Sequence, residues 1–176
     1  MSRLAPPVGP RDHVQGPPNA PLTLVEYGDY ECGYCGEAYL IVKEVQRALG
    51  DNLRFVFRNF PLGEAHPHAE HAAELAEAAA DAGQFWPMHD LLYEHQNALG
   101  DENLVAYGRA LALPDETLRD ALGGRYAGRV REDFMSGVRS GVNGTPTFIN
   151  GRRHDGSWEL DSLMDALLEA ADQDVR

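Results

Sequence analysis

The chain has 176 residues, 43% of them hydrophobic and 24% charged, which is a globular composition at a length suited to one elaborated domain rather than two full ones. Fifteen Lys and Arg against 28 Asp and Glu leave a net charge of −13, which opposes binding to nucleic acid or to an anionic membrane surface. Two cysteines are too few for a disulfide-rich scaffold or a four-thiolate zinc site.

Residues 1–21 hold six of the eleven prolines and no apolar run, so they predict an extended arm laid on a surface or a disordered one. No apolar signal-peptide core follows Met1, and no stretch of about 20 apolar residues occurs anywhere. A soluble cytoplasmic protein is expected, or a periplasmic or secreted one if a leader has been removed.

Residues 22–27, bounded by Pro21 and Gly28, predict a core strand. Cys32 and Cys35 follow, and then Ala38, Ile41, Val42, Val45 and Leu49 at the spacing of an amphipathic helix closed by Gly50. Residues 53–60 alternate as a second strand that stops at Pro61. Strand, helix and strand of these lengths imply a right-handed crossover with the two strands parallel.

Residues 63–122 are helical in pattern throughout, with helices expected over 67–82, 84–99, 101–111 and 114–122. Twelve acidic residues face two arginines there, which places −10 of the net charge in these 60 positions. On the first of these helices Glu70, Glu74, Glu77 and Asp81 recur opposite an alanine face, which predicts a solvated acidic stripe or, more sharply, a docking face for a basic partner. A more basic helix is expected over 125–141. Pro146-Thr147-Phe148-Ile149, Asn150-Gly151 and Arg152-Arg153-His154 predict a tight hairpin with a type I′ turn at Asn-Gly. Leu160, Leu163, Met164, Leu167, Leu168 and Ala171 mark a final helix. The sum is an α/β sandwich of sheet and helices with an inserted helical bundle: an arm over 1–21, a discontinuous α/β domain over 22–62 and 123–176, and the insertion over 63–122.

Cys32-Gly33-Tyr34-Cys35 sits where the first strand gives way to a helix. Backbone N–H groups at a helix N-terminus carry partial positive charge and stabilise a thiolate on the first cysteine. The second, one turn on, is placed to resolve a mixed disulfide. Cys32 is therefore expected to be the exposed nucleophile and Cys35 the shielded resolving thiol, the alternatives being two structural core cysteines or half of a metal site.

The segments Glu26-Tyr27-Gly28-Asp29-Tyr30-Glu31-Cys32-Gly33-Tyr34-Cys35, Arg58-Asn59-Phe60-Pro61-Leu62, Gly83-Gln84-Phe85-Trp86 and Gly144-Thr145-Pro146-Thr147-Phe148-Ile149-Asn150-Gly151 together resemble the DsbA-like branch of the thioredoxin superfamily, from about Asp12 to the last helix. The resemblance implies a thioredoxin-like fold, a central mixed sheet flanked by helices with a helical insertion. It also implies a dithiol–disulfide oxidoreductase acting on protein or small-thiol disulfides, with no organic cofactor and an electron partner still to be identified. Pro146 matches the family's cis-proline, with Thr145 before it pairing with the substrate backbone; Gly33 and Tyr34 complete the substrate contacts. Glu26 matches a buried acid that takes up the proton of the second thiol, against the alternative of a carboxylate on a solvated strand face. The Gly-Tyr dipeptide departs from relatives carrying Pro-His or Pro-Tyr. It supplies no imidazolium to the thiolate, so a weaker oxidant than the family's strongest members is expected.

Other constellations carry less. His66, His68 and His71, interleaved with Glu64, Glu70 and Glu74, suggest a metal site, but no second helix offers a matching set. His89 and His95 are expected to pack helices or lie at the surface, Phe85 and Trp86 to anchor the insertion, and Tyr30 with Tyr34 to rim the dithiol. No glycine pattern of a dinucleotide or P-loop site follows a strand, and no Ser-His-Asp arrangement is readable. Two readings of other classes stay open: a module sharing a metal or iron–sulfur cluster through Cys32, and a non-catalytic holdase using the acidic helices.

Overall fold

A computed structural model describes residues 3–174, with side-chain surroundings through residue 170. Met1, Ser2, Val175, Arg176 and the side chain of Ala171 in the last apolar stripe lie outside the described residues. The elements run β1 (His13–Gln15), β2 (Leu22–Gly28), α1 (Gly33–Leu49), β3 (Leu53–Asn59), α2 (Ala69–Asp81), α3 (Phe85–Glu94), α4 (Asp101–Ala110), α5 (Asp115–Leu122), α6 (Ala127–Arg139), β4 (Thr147–Ile149) and α7 (Leu160–Asp174), with a 3-10 turn at Gly50–Asn52. The chain divides into two compact units, one of Met1–Gly28, Glu37–Arg58 and Met135–Arg176, the other of Asp29–Gly36 and Asn59–Phe134.

The first unit holds a four-stranded sheet in the order β1-β3-β2-β4. β1 lies antiparallel to β3 with Val14 opposite Val56, and β4 antiparallel to β2 with Glu26 opposite Phe148. The sheet is mixed, so the central pair β2 and β3 is parallel, as a strand-helix-strand crossover requires. Leu24, Val25 and Tyr27 of β2 and Phe55, Val56 and Phe57 of β3 are all buried, the continuous apolar run of strands covered on both faces. α1 buries Ala38, Val42 and Val45, one stripe at helical spacing, where each valine contributes about 1.5–3 kcal/mol relative to exposure. α7 packs on β2 and buries Leu163 and Leu167.

The N-terminal arm is extended and laid against the sheet, where it contributes β1 to the edge. Two features fix it. Gly16 turns the chain at a φ of +87°, where a Cβ would lie 2.1 Å from the Leu53 carbonyl oxygen, so only glycine fits. Arg58 forms a buried two-pronged ion pair with Asp12, Nε to Oδ1 at 2.8 Å and Nη2 to Oδ2 at 2.9 Å, and donates further to the Pro6 and Pro7 carbonyls and to Tyr27 Oη. Burial by itself disfavours the charged guanidinium, yet Asp12 and Tyr27 hold its pKa above the ordinary arginine value. At the other end the hairpin is reduced. Only Gly151 of the Asn-Gly pair has positive φ, so the turn is not type I′. Asn150 instead donates its side-chain amide to the Ala166 carbonyl on α7 at 2.7 Å, and the returning chain makes single bridges at Arg152 and Arg153 rather than a strand.

In the second unit α2 packs against α3, α4 and α5 through Ala69, Ala72, Ala73, Ala76 and Ala79. The acidic stripe on α2 is solvated only in part, because Glu70 and Asp81 are exposed while Glu74 and Glu77 are buried. Glu77 Oε1 accepts from Asn59 Nδ2 at 2.7 Å, and its other oxygen lies 3.7 Å from Arg129 Nε. Arg129 of the basic helix α6 also pairs with Asp133 one turn on, whose Oδ2 accepts the Asn59 backbone N–H at 3.0 Å. Burial pushes the Glu74 carboxyl up, against backbone hydrogen bonds from Tyr126 and Ala127 where α6 begins. α3 ends at Glu94, five residues short of the expected helix, and frees Gln96 for a different task.

Candidate active site

The dithiol occupies the turn between β2 and α1. Cys32 N–H donates to the Asp29 carbonyl at 3.1 Å, and the Cys32 carbonyl accepts the Gly36 N–H, the first bond of the helix. Cys32 is thus the N-cap position and Cys35 stands in the first turn, which puts Cys32 at the electropositive end of the helix. The two cysteines approach within 3.7 Å, well beyond the ~2.05 Å of a disulfide bond, and are not bridged. Cys35 is fully buried with its sulfur 3.5 Å from the Asp29 N–H, which donates to it. Cys32 is not the exposed thiol expected from the sequence. At 5% it is buried too, although it is the more accessible of the pair.

Asp29 organises this turn. Its carboxylate is buried, accepts the Glu31 and Leu62 N–H groups at 2.8 Å each, and bonds His66 Nδ1 at 2.7 Å. Gln96 clasps the loop from the other side, its Nε2 donating to the carbonyls of Tyr30 and Cys32 at 2.9 and 2.6 Å. A Cβ on Gly36 would lie 2.3 Å from Gln96 Oε1, so the glycine makes room for the clasp. Gln96→Ala should cost about 1–2 kcal/mol, the net worth of two hydrogen bonds, measured by urea unfolding. A change below about 0.3 kcal/mol would show that the clasp does not hold the loop.

Glu26 is buried on β2, as the resemblance implies, six residues before Cys32. The Thr145–Pro146 peptide bond is cis, and Thr147 Oγ1 donates to the Gly144 carbonyl at 2.7 Å in the turn that leads into β4. Gly33 is exposed and Tyr34 is 66% exposed, beside the dithiol. Tyr30 does not join it at the rim. Its ring is buried among His89 and Tyr93 of α3, with its hydroxyl 3.0 Å from His89 Nδ1, because the aromatic face of α3 covers it. The three histidines of the suggested metal site each engage a different carboxylate: His66 with Asp29, His68 with Glu31 and His71 with Asp101. Asp29 and Gln96 are site residues that the sequence did not mark, and it marked His66 only as a candidate metal ligand. Asp29 had a signal, since it stands in the motif just before the dithiol; Gln96, past the end of a helix, had none.

A mixed sheet, a Cys-x-x-Cys opening the helix after the first central strand, and a cis-proline leading into the strand beside it define a protein of the thioredoxin fold. The chain belongs to the family described as Thioredoxin (Thioredoxin_4), whose profile matches residues 9–169. Its fold is similar to that of a thioredoxin-like oxidoreductase from Silicibacter pomeroyi, with a TM-score of 0.81, 29% identity and 93% and 94% of the two chains covered. It is likewise similar to oxidised BdbD from Bacillus subtilis, with a TM-score of 0.81, 22% identity and coverage of 92% and 93%. Among curated sequences it is 48% identical over 167 residues to a Na(+)/H(+) antiporter NhaA 1 from Salinispora arenicola, covering 93% of this chain and 26% of that protein. The chain therefore spans about a quarter of the length of such relatives. No helix among the described residues is long and apolar enough to cross a membrane.

Proposed function

We propose that the chain is a dithiol–disulfide oxidoreductase that exchanges the Cys32–Cys35 pair with disulfides and thiols of protein or small-thiol substrates. The observation that carries this reading is the placement of the pair: Cys32 caps the helix, and Cys35 lies buried one turn on with its sulfur against the Asp29 N–H. In the reductive direction Cys32 loses its proton to water and its thiolate attacks a substrate disulfide, forming a mixed disulfide and releasing one substrate thiolate. Cys35 then gives up its proton and displaces the second, leaving Cys32–Cys35 oxidised by two electrons and the substrate reduced by two. Glu26 is the acceptor for the Cys35 proton, and Thr145, Pro146, Gly33 and Tyr34 bind the substrate chain. In a compartment held reducing, such as the cytoplasm, the pair works as a reductant; in an oxidising one the same steps run in reverse.

Support for the reaction class comes from the Silicibacter oxidoreductase at 29% identity. The transport activity in the names of the longer relatives belongs to those proteins, of which a segment similar to this chain makes up about a quarter. Equilibration in glutathione buffers tests the reading: reversible formation of one intramolecular disulfide supports it, and a pair that stays reduced at every ratio refutes it. Thiol trapping in fractionated cells tests the compartment, a reduced pair in the cytoplasmic fraction being expected. Glu26→Gln should slow release of the mixed disulfide by about 10²-fold, the lower range for a positioned base, without changing alkylation of Cys32. Unchanged release kinetics would remove Glu26 from the mechanism.

A further inference from the structure

The dipeptide between the cysteines brings no cation to the dithiol, and two carboxylates, Asp29 and Glu31, stand just before Cys32. The loop after β3 changes that balance. Asp29 Oδ2 takes the Leu62 N–H at 2.8 Å and His66 Nδ1 at 2.7 Å, while Glu31 takes the His68 N–H at 2.7 Å and His68 Nδ1 at 2.8 Å. Residues 62–68 are thereby fastened along 29–31, the three residues that lead into Cys32. Because Asp29 is buried and holds Nδ1, the His66 ring is fixed with that proton in place, and Nε2 is the atom that gains or loses a proton.

We propose that His66, oriented by Asp29, is the cation that stabilises the Cys32 thiolate, supplying from the loop after β3 what a histidine between the cysteines would otherwise supply. The proposal rests on Cys32 being the nucleophile. Asp29 bonds the His66 ring, Cys32 and Glu31 are the further ionisable groups whose charge acts on it among the described residues, and His68 is engaged by Glu31. Partial burial works to lower the His66 pKa, but the Asp29 hydrogen bond and charge, followed by Cys32 and Glu31, outweigh it and raise it above 6.5. Such coupling is reciprocal: a thiolate that favours the imidazolium is favoured by it to the same extent. The effect on Cys32 is full while His66 is protonated and fades as pH rises through its raised pKa. His66 is a positioning and electrostatic residue, with no bond to the substrate.

Two measurements decide this. In the reduced protein, His66→Gln should lower the alkylation rate of Cys32 at pH 6 by about tenfold, one pKa unit, and shift equilibrium with glutathione toward the disulfide by a similar factor. His66→Lys, whose charge does not titrate in this range, should restore the rate to within about threefold, and His68→Gln should change it by less than about twofold. In unsubstituted His66 protein, the NMR titration of the imidazole should fall by about one unit when Cys32 is replaced by serine. An unchanged alkylation profile in His66→Gln overturns the proposal, as does an equal loss in His68→Gln. If His66→Gln does not fold, the imidazole titration decides alone, and an unshifted pKa overturns it. The alkylation rates and the imidazole titration use no disulfide or thiol substrate. Coupled titrations in a protein that performs no exchange would sink the oxidoreductase reading and keep the ion pair, whereas exchange without coupling would sink the ion pair alone.

Discussion

Cys35→Ser is expected to accumulate mixed disulfides on Cys32 while steady-state exchange falls by about 10³-fold or more. The size follows from the geometry. Cys35 stands in the first helical turn, 3.7 Å from Cys32, so its attack on a mixed disulfide is intramolecular. An effective concentration of even about 1 M, modest for positioned groups, exceeds a millimolar external thiol about 10³-fold. With serine there, only an outside thiol releases the substrate, and trapped species should persist on non-reducing gels and disappear with reductant. Cys32→Ser removes the nucleophile itself, and the fully buried Cys35 is not accessible to replace it, so this variant should trap nothing. If Cys32→Ser traps more than Cys35→Ser, the roles are reversed.

Arg58→Ala should destabilise the protein by about 3–5 kcal/mol, because it strands a buried carboxylate. The side chains of Arg58 and Asp12 are 3% and 8% exposed, and the guanidinium also serves two proline carbonyls and Tyr27 Oη. For a chain of this length the loss corresponds to a fall in Tm of about 10 °C or more. Arg58→Lys keeps the charge but cannot bind both carboxylate oxygens in parallel, and should lose less, about 1–3 kcal/mol. Thermal and urea unfolding read both, with added proteolysis at residues 3–16 in Arg58→Ala as the arm detaches. A loss below about 1 kcal/mol would show that the arm does not depend on this pair.

Elements with a strong local pattern were legible. Ala38, Val42 and Val45 announced the buried stripe of α1, and the apolar runs of β2 and β3 announced two strands inside a sheet, because periodicity reports which face is covered. The cysteine pair was legible for the same local reason, since a strand, a turn and a helix start lie within ten residues. The resemblance added what no spacing contains, the burial of Glu26 and the cis bond before Pro146, both found in the structure. β1 was not legible: three residues in a proline-rich arm have no pattern of their own and become a strand by pairing with β3. The stripe on α2 misled because the same carboxylates suit water or a buried partner, and the partners of Glu77, Asn59 and Arg129, are far away in sequence.

By itself, then, the sequence determined the placement of the Cys32–Cys35 pair at a helix start, the helix that carries it and the two central strands, because all depend on neighbours within one turn or one strand. Only the tertiary structure decided the electrostatic setting of that pair. His66 is 34 residues from Cys32 along the chain, and whether it is a surface histidine or the counter-charge of a dithiol depends on Asp29 and Leu62 fastening its loop to the active-site turn. Charge acts through space, and spacing along a chain does not record it.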